Sequence, residues 1–338
     1  MPTMRPRLLV TRIGAFGDVC LLIPVVHELE RHFEVDWLIR DCYQPVVQGF
    51  DHLRCRTIGV NPTPDGRFES DDPLVKCLRA RNYDYCLDFS HWPVVSHLVA
   101  CLQDIPVRAI TRDPQQDALL AVNPQGINLE HPFNCVVDVD PSMHQVDKWR
   151  TLIRESCGVE IAIRWPLPPQ RPTGEVLRIF VHPHAGKPDK IWPPCQFATV
   201  LSALAKQRHI HCAIHKARGN LMRGVRWRLF FSRCTTEAVP MHPSFRLLRD
   251  QLEHADLAIG CDSGPMHFAS LLGTPTLVIY GPYSPREFSP LWRTAAVVPD
   301  QQGQPASAIH PQRVQAQLEA LLSRLDSSLE VPGYPFSE

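Results

Sequence analysis

Short apolar runs alternate along this chain with longer stretches in which apolar residues recur every three or four positions. In the first half, Arg7 to Thr11, Val35 to Ile39, Arg54 to Ile58, Tyr85 to Asp88 and Val107 to Ile110 read as strands. Helical spacing lies between them at Val19 to His32 (Leu22, Val25, Val26 and Leu29 on one face), Pro45 to Phe50, Pro73 to Arg81 and Pro93 to Leu102. The strands are continuously apolar and do not alternate, which predicts parallel sheets covered by helices on both faces. Prolines 166, 168, 169 and 172 break the pattern between Arg164 and Gly174 and mark a linker. Alternation then restarts. Leu177 to Val181, Ile210 to Ile214, Leu257 to Ile259 and Thr276 to Tyr280 read as strands. Pro194 to Lys206, Ser244 to His254, Met266 to Leu272 and Gln312 to Leu325 read as helices. The expectation is two doubly wound α/β domains, 1–165 and 174–338, with ligands in a cleft at the C-terminal ends of the strands.

Composition narrows the class. At 338 residues the chain suits two domains, and 44% hydrophobic with 21% charged residues is ordinary for a globular protein. Lys plus Arg and Asp plus Glu both number 35, so net charge offers no footprint for nucleic acid. The 12 cysteines include no C-x-x-C pair and no Cys/His cluster at zinc spacing. Those in apolar runs, such as Cys20, Cys86, Cys101 and Cys212, are expected to be small buried hydrophobes in a reducing cytosol. The apolar run Val19 to Val26 holds Pro24 and is far shorter than the ~20 residues that span a bilayer. A cytoplasmic protein is expected, with peripheral contact at the inner membrane left open. The run Arg223 to Phe231 is expected to be a helix with one packed face.

Three loops, each just after an expected strand, can carry chemistry. The first is Arg12-Ile13-Gly14-Ala15-Phe16-Gly17-Asp18. Its glycines permit a tight turn, and Asp18 falls at a helix start. There it serves either as a helix cap or as a carboxylate at the cleft mouth acting as general base. The second runs from His182 to Pro194, where Lys187 and Lys190 could hold a diphosphate as point charges. The alternative is a solvated loop with Trp192 packed on the domain surface. The third, Gly260-Cys261-Asp262-Ser263-Gly264-Pro265, ends a strand and feeds a helix, so backbone N–H groups and the positive dipole end converge on one spot suited to phosphate. Asp262 beside an anion is unexpected, since like charges repel. It suggests a role with sugar hydroxyls, or an Asx-turn at the helix start. His267 is a ligand contact or a half-buried structural residue.

Together these loops resemble the heptosyltransferases of bacterial lipopolysaccharide core synthesis, glycosyltransferase family 9. Gly17-Asp18-Val19 matches the first family motif and Lys190-Ile191-Trp192-Pro193 the second. Asp262-Ser263-Gly264-Pro265-Met266-His267, with Gly273-Thr274-Pro275 and Gly281-Pro282, matches the third. The resemblance covers about the first 290 residues. It implies a GT-B fold, two Rossmann-like domains facing a central cleft, and inverting transfer from a nucleotide sugar such as ADP-heptose without a required metal or further cofactor. On that model Asp18 deprotonates the acceptor hydroxyl, with Asp262 as the other candidate base. Lys190 stabilises the leaving diphosphate. Ser263 and Gly264 hold the phosphates, Asp262, His267 and Lys187 complete the donor side, and Gly17 and Phe16 lie on the acceptor side. The first domain would bind a glycan or glycolipid acceptor, the second the donor.

Two departures stand out. Family members often carry an acid after the strand that here ends near Ile214, where this chain reads His215-Lys216-Ala217-Arg218-Gly219-Asn220. Gly14-Ala15-Phe16 stands where members often have small polar residues, so Phe16 could alter the acceptor side. A nucleotide-sugar hydrolase or epimerase on the same fold, and an inactive nucleotide-sugar-binding module, are the competing readings.

Overall fold

The computed structural model describes residues 5–62, 68–113, 132–170, 173–216, 234–240 and 244–333. The chain divides into two compact units, Met1–Trp165 and Pro166–Ser337. The expected helix at Arg223 to Phe231, the segment 217–220, and the prolines at 64 and 172 lie outside the described residues.

In the first unit, six parallel strands take the order β3-β2-β1-β4-β5-β6. They are β1 (Arg7–Thr11), β2 (Glu34–Arg40), β3 (Arg56–Val60), β4 (Tyr85–Asp88), β5 (Val107–Arg112) and β6 (Cys135–Asp138). Helices α1 (Phe16–Leu29), α2 (Gln44–Gln48), α3 (Pro73–Arg79), α4 (Pro93–Ala100) and α5 (Gln145–Cys157) connect or cover them. Leu8, Leu9 and Val10 are fully buried, which is why their strand reads as an unbroken apolar run. On one face of the sheet Leu9, Leu38, Cys86 and Ile110 form a single core with Val95, Leu98 and Val99 of α4.

The second unit repeats the plan in the order β12-β11-β10-β7-β8-β9, again all parallel. Its strands are β7 (Val176–His182), β8 (His209–Lys216), β9 (Cys234–Pro240), β10 (Leu257–Cys261), β11 (Thr276–Ile279) and β12 (Thr294–Val297). Its helices are α6 (Pro194–Ala205), α7 (Phe245–Glu253), α8 (Gly264–Leu271), α9 (Pro285–Phe288) and α10 (Pro311–Asp326). Leu177, Ile179 and Val181 of β7 share a core with Phe197 and Leu201 of α6 and with Val314 and Leu318 of α10.

Both sheets are doubly wound, and each reverses its strand order beside its first strand: between β1 and β4, and between β7 and β10. Ligands of such sheets bind outside the carboxyl ends of the strands at this reversal. Several local expectations need correcting. Helix α1 begins at Phe16 rather than Val19, because Ala15 already has the extended conformation of an N-cap. Gly260 and Cys261 belong to strand β10, not to the turn that follows. Cys20, Cys86 and Cys212 are buried as expected, but Cys101 is half-buried. Strands β6, β9 and β12 and helices α5 and α9 were not anticipated. Among the described residues, no helix is long and apolar enough to cross a membrane.

Candidate functional site

The loop after β1 positions Asp18. Ala15 caps α1 and has no side-chain acceptor to offer, so the carboxylate of Asp18, three residues on, accepts the Ala15 N–H at 3.2 Å. Asp18 is therefore not the N-cap but the N3 half of a capping box. The same oxygen, Oδ2, pairs with the guanidinium of Arg12. Arg12 is buried, donates to the Phe89 carbonyl, and lies 5.9 Å from the centre of the Trp149 ring. Its own carbonyl accepts the Trp37 indole N–H at 3.2 Å. The Asp18 side chain keeps 24% of its surface exposed against 10% for Arg12. The base candidate is thus held from one side and open on the other.

Across the strand reversal, the end of β4 locks this loop in place. Asp88 Oδ1 accepts from the Thr11 hydroxyl at 2.7 Å and from the Ser90 N–H at 2.8 Å. The Ser90 hydroxyl donates to the Thr11 carbonyl at 3.1 Å, and its oxygen accepts the Ile13 N–H at 3.2 Å. Phe16 stacks on Tyr43 with ring centres 5.9 Å apart and planes 17° from parallel. Gly17, the second residue of α1, carries the chain from Phe16 to Asp18. Burial pushes the Tyr43 phenol above its ordinary value.

In the second unit the two later loops come together. Lys190 Nζ lies 2.6 Å from Asp262 Oδ2, and Asp262 is only 5% exposed. The carboxylate that seemed misplaced beside an anion is thus charge-compensated by the lysine of the neighbouring loop, and it does not cap the helix. Ser263 caps α8 through its backbone, while its hydroxyl donates to the Cys261 carbonyl at 2.9 Å. Neither the Ser263 nor the Gly264 N–H donates to a described residue, and Pro265 has no N–H to give. Two backbone donors and a helix N-terminus therefore stand open within reach of the Lys190–Asp262 pair. His267, in the first turns of α8, is buried at 8% exposure.

Lys187 reaches Tyr283 rather than an acid. Its ammonium donates to the Tyr283 hydroxyl and lies 4.8 Å from the ring centre, while Lys190 Nζ lies 4.3 Å from the same ring. That hydroxyl contact raises the Lys187 pKa above its ordinary value. Trp192 is fully buried, contrary to a surface-packed loop residue. Its indole donates to the Ile309 carbonyl at 2.9 Å, and its backbone N–H points to Cys261 Sγ at 3.3 Å. Gly281 explains how the loop stays close: a Cβ there would lie 2.4 Å from the Asp189 carbonyl oxygen and 3.2 Å from Lys190 Cα. Arg12, Asp88 and Tyr283 were not singled out from sequence. Asp88 closes an apolar strand in the way Asp262 follows one, and Tyr283 directly follows Gly281-Pro282. Those placements were the available signals.

Two further buried polar pairs lie near the carboxyl ends of strands. His182 and His215 face each other with Nδ1 atoms 2.8 Å apart, and burial lowers the His182 pKa well below its ordinary value. Lys148 and Asp113 form a buried pair at 2.7 Å. Among the described residues, no group of three or more His, Cys, Asp or Glu side chains is placed to hold a metal ion.

The profile of glycosyltransferase family 9 (heptosyltransferase) matches residues 73–315, well over half of the chain. The chain belongs to glycosyltransferase family 9. Solved structures of like fold include a glycosyl transferase family 9 protein from Veillonella parvula, with a TM-score of 0.71, 16% identity and coverage of 96% of this chain and 99% of that one. E. coli heptosyltransferase WaaC with ADP gives a TM-score of 0.66 at 18% identity, over 95% of this chain and 99% of that one. E. coli ADP-heptose lps heptosyltransferase II gives 0.68 at 19% identity, over 94% and 99%. At such identities the likeness speaks for the fold, which is the GT-B class of two doubly wound α/β domains. No curated protein matches the chain. The family membership makes this protein a glycosyltransferase of the heptosyltransferase type.

Proposed function

We propose that this family 9 member moves a heptose from a nucleoside-diphosphate donor, ADP-heptose, to a hydroxyl of a glycan acceptor such as lipopolysaccharide core, with inversion and without a metal. The observation that carries the reading is the second unit's pairing of Lys190 with buried Asp262 beside the open N-terminus of α8. Backbone donors, a helix dipole and two lysines offer positive potential for a diphosphate, the charge that a metal ion brings elsewhere. Two of the structural neighbours, WaaC with ADP and WaaC with ADP-2-deoxy-2-fluoro heptose, hold ligands of this class. On this reading unit 1–165 takes the acceptor and unit 166–337 the donor, at the cytoplasmic face of the inner membrane.

In the reaction, the acceptor oxygen forms a bond to the anomeric carbon as the bond from that carbon to the diphosphate breaks. The acceptor proton passes to Asp18, whose carboxylate is held by Arg12 and Ala15 and exposed on its other side. The electron pair of the broken bond leaves with the nucleoside diphosphate. Its growing charge is met by Lys190, Lys187 and the Ser263 and Gly264 N–H groups. Asp262 keeps Lys190 aimed and is free to accept from donor hydroxyls, while His267 supports the same turn.

The test is ADP release from ADP-heptose with and without a deacylated, heptose-deficient core oligosaccharide, each in excess EDTA. Release that needs the oligosaccharide and survives EDTA is expected. Acceptor-independent release would make the protein a hydrolase. An isomerised nucleotide sugar without release would make it an epimerase, and binding without either would make it a carrier.

A further inference from the structure

We infer that Tyr283 is a positioning residue that holds Lys187 and Lys190 as a two-pronged clamp for the donor diphosphate. The inference rests on the reading of the second unit as the donor unit and adds a residue to it. Both ammonium groups contact one side chain: Lys190 Nζ lies 4.3 Å from the ring centre, and Lys187 Nζ, 4.8 Å from that centre, sits at the hydroxyl end and donates to the Tyr283 hydroxyl. Two like charges gathered on one tyrosine side chain repel, so the arrangement needs a compensating attraction. The ring quadrupole and Asp262 supply it for Lys190, and the Tyr283 hydroxyl, with Asp189 at longer range, supplies it for Lys187. Among the described residues, Lys187 has no carboxylate partner within salt-bridge distance. Its direct partner is a hydroxyl, and the Asp189 carboxylate acts on it only at longer range, so its charge is held in place without a direct ion pair. Asp262 is committed to Lys190 and Asp189 acts on Lys187 only at longer range, so the Lys187 ammonium keeps its donors for a ligand, and Tyr283 decides where that ammonium sits.

The backbone around Tyr283 is fixed for this task. Pro282 sets the preceding φ, and Ser284 caps the short helix α9 by accepting the Arg286 N–H at 3.2 Å. Gly281 packs directly on the carbonyl of Asp189 and on Lys190 Cα, so the aromatic segment lies tight against the lysine loop. Lys187 is exposed and long, and an untethered lysine would surrender its rotamer freedom when the diphosphate binds. Tethering it to a ring that has two torsions lowers that loss beforehand.

The test uses the full-length protein with ADP as the probe, by isothermal titration calorimetry. Tyr283→Ala is expected to weaken ADP by up to about tenfold, because it removes the one cation–π contact and the one hydrogen bond that hold the two lysines in place. Tyr283→Phe keeps the ring and is expected within about threefold of wild type. In a Lys187→Ala/Lys190→Ala background, Tyr283→Ala should add less than about twofold, because nothing remains to position. If the lysine changes weaken ADP but Tyr283→Ala does not, the inference falls and the donor reading stands. If Tyr283→Ala weakens ADP equally in both backgrounds, the ring meets the nucleotide itself and the positioning role falls. If the lysine changes leave ADP affinity unaltered, the donor reading falls and takes the inference with it. Melting temperatures of the Phe and Ala variants matching wild type keep a folding defect from imitating the effect.

Discussion

Gly281→Ala isolates the contact that brings the lysine loop to the third motif. An added Cβ would sit 2.4 Å from the Asp189 carbonyl oxygen, 3.1 Å from its carbon and 3.2 Å from Lys190 Cα. All three are backbone atoms, so no side chain can swing aside. Restoring a normal separation of ~3.5 Å requires a relative shift of about 1 Å. The Lys190–Asp262 contact is 2.6 Å, and a shift of that size takes it outside hydrogen-bond range. Overpacking of this kind costs about 1–3 kcal/mol. In a unit of this size that lowers the melting temperature by roughly 2–4 °C for each kcal/mol. Misplacement of a charge-stabilising group by about 1 Å can cost on the order of 10²-fold in turnover. The assay is ADP release at saturating oligosaccharide, with melting followed in parallel. Gly186→Ala is the internal control: it lies in the same loop, its Cβ would meet nothing within 4 Å, and it should behave as wild type. Wild-type melting and kcat/KM within twofold for Gly281→Ala would refute the packing argument. Equal losses in both variants would show that the loop tolerates no change and that the close approach is not the cause.

Asp18→Asn keeps the shape of the base candidate and removes its ability to take a proton. Turnover should fall by about 10²–10⁴-fold, with ADP affinity within a few-fold of wild type by calorimetry. A large loss of ADP affinity would mean that Asp18 serves the donor and not the acceptor. A second expectation concerns pH. Burial keeps His182 neutral in the fold, with its pKa well below the ordinary value, whereas the unfolded chain protonates it near ~6.5. The unfolded state therefore binds the extra proton as pH falls, so this contribution to stability is full above ~6.5 and is lost progressively below it. The slope is at most about 1.4 kcal/mol per pH unit. The lowered carboxylates Glu34 and Asp326 titrate further down, but burial also lowers His91 and His184, so chemical denaturation between pH 7.5 and 5.5 reads His182 as the difference in slope between wild type and His182→Asn. The same slope in His182→Asn as in wild type would show that His182 accepts its proton without unfolding.

The chain's fold was legible because its central strands are buried on both faces and cannot hide their apolar runs. Strands β1, β2, β4, β7, β10 and β11 all sit inside their sheets. The strands that escaped notice, β6, β9 and β12, are all sheet edges, where Cys135–Asp138 and Thr294–Val297 are four residues long and Cys234–Pro240 reads CTTEAVP. Edge strands need less apolar surface, and shortness and polarity protect them from pairing with other chains, so their pattern is weak by design of the sheet itself. Helix α5 was hidden for another reason. Val146, Trp149, Leu152 and Ile153 keep helical spacing, but Lys148 is buried among them and breaks the apolar stripe. Its partner is Asp113, thirty-five positions earlier, and only the folded chain reveals that the charge is matched.

The same limit applies to the site. The motif residues were findable because each follows a buried strand at a reversal of strand order, a place set by topology. What each side chain does there depends on partners that sequence spacing cannot express. Asp262 looked repulsive toward an anion until Lys190, seventy-two positions away, was seen to neutralise it. Asp18 looked like a cap until Ala15 was found in that role, with Arg12 holding the carboxylate. Tyr283 carried no signal beyond its neighbours Gly281 and Pro282, because its partners are two lysines on a different loop. Charge compensation is therefore the part of this site that only the structure discloses, and it is the part on which the proposed donor chemistry depends.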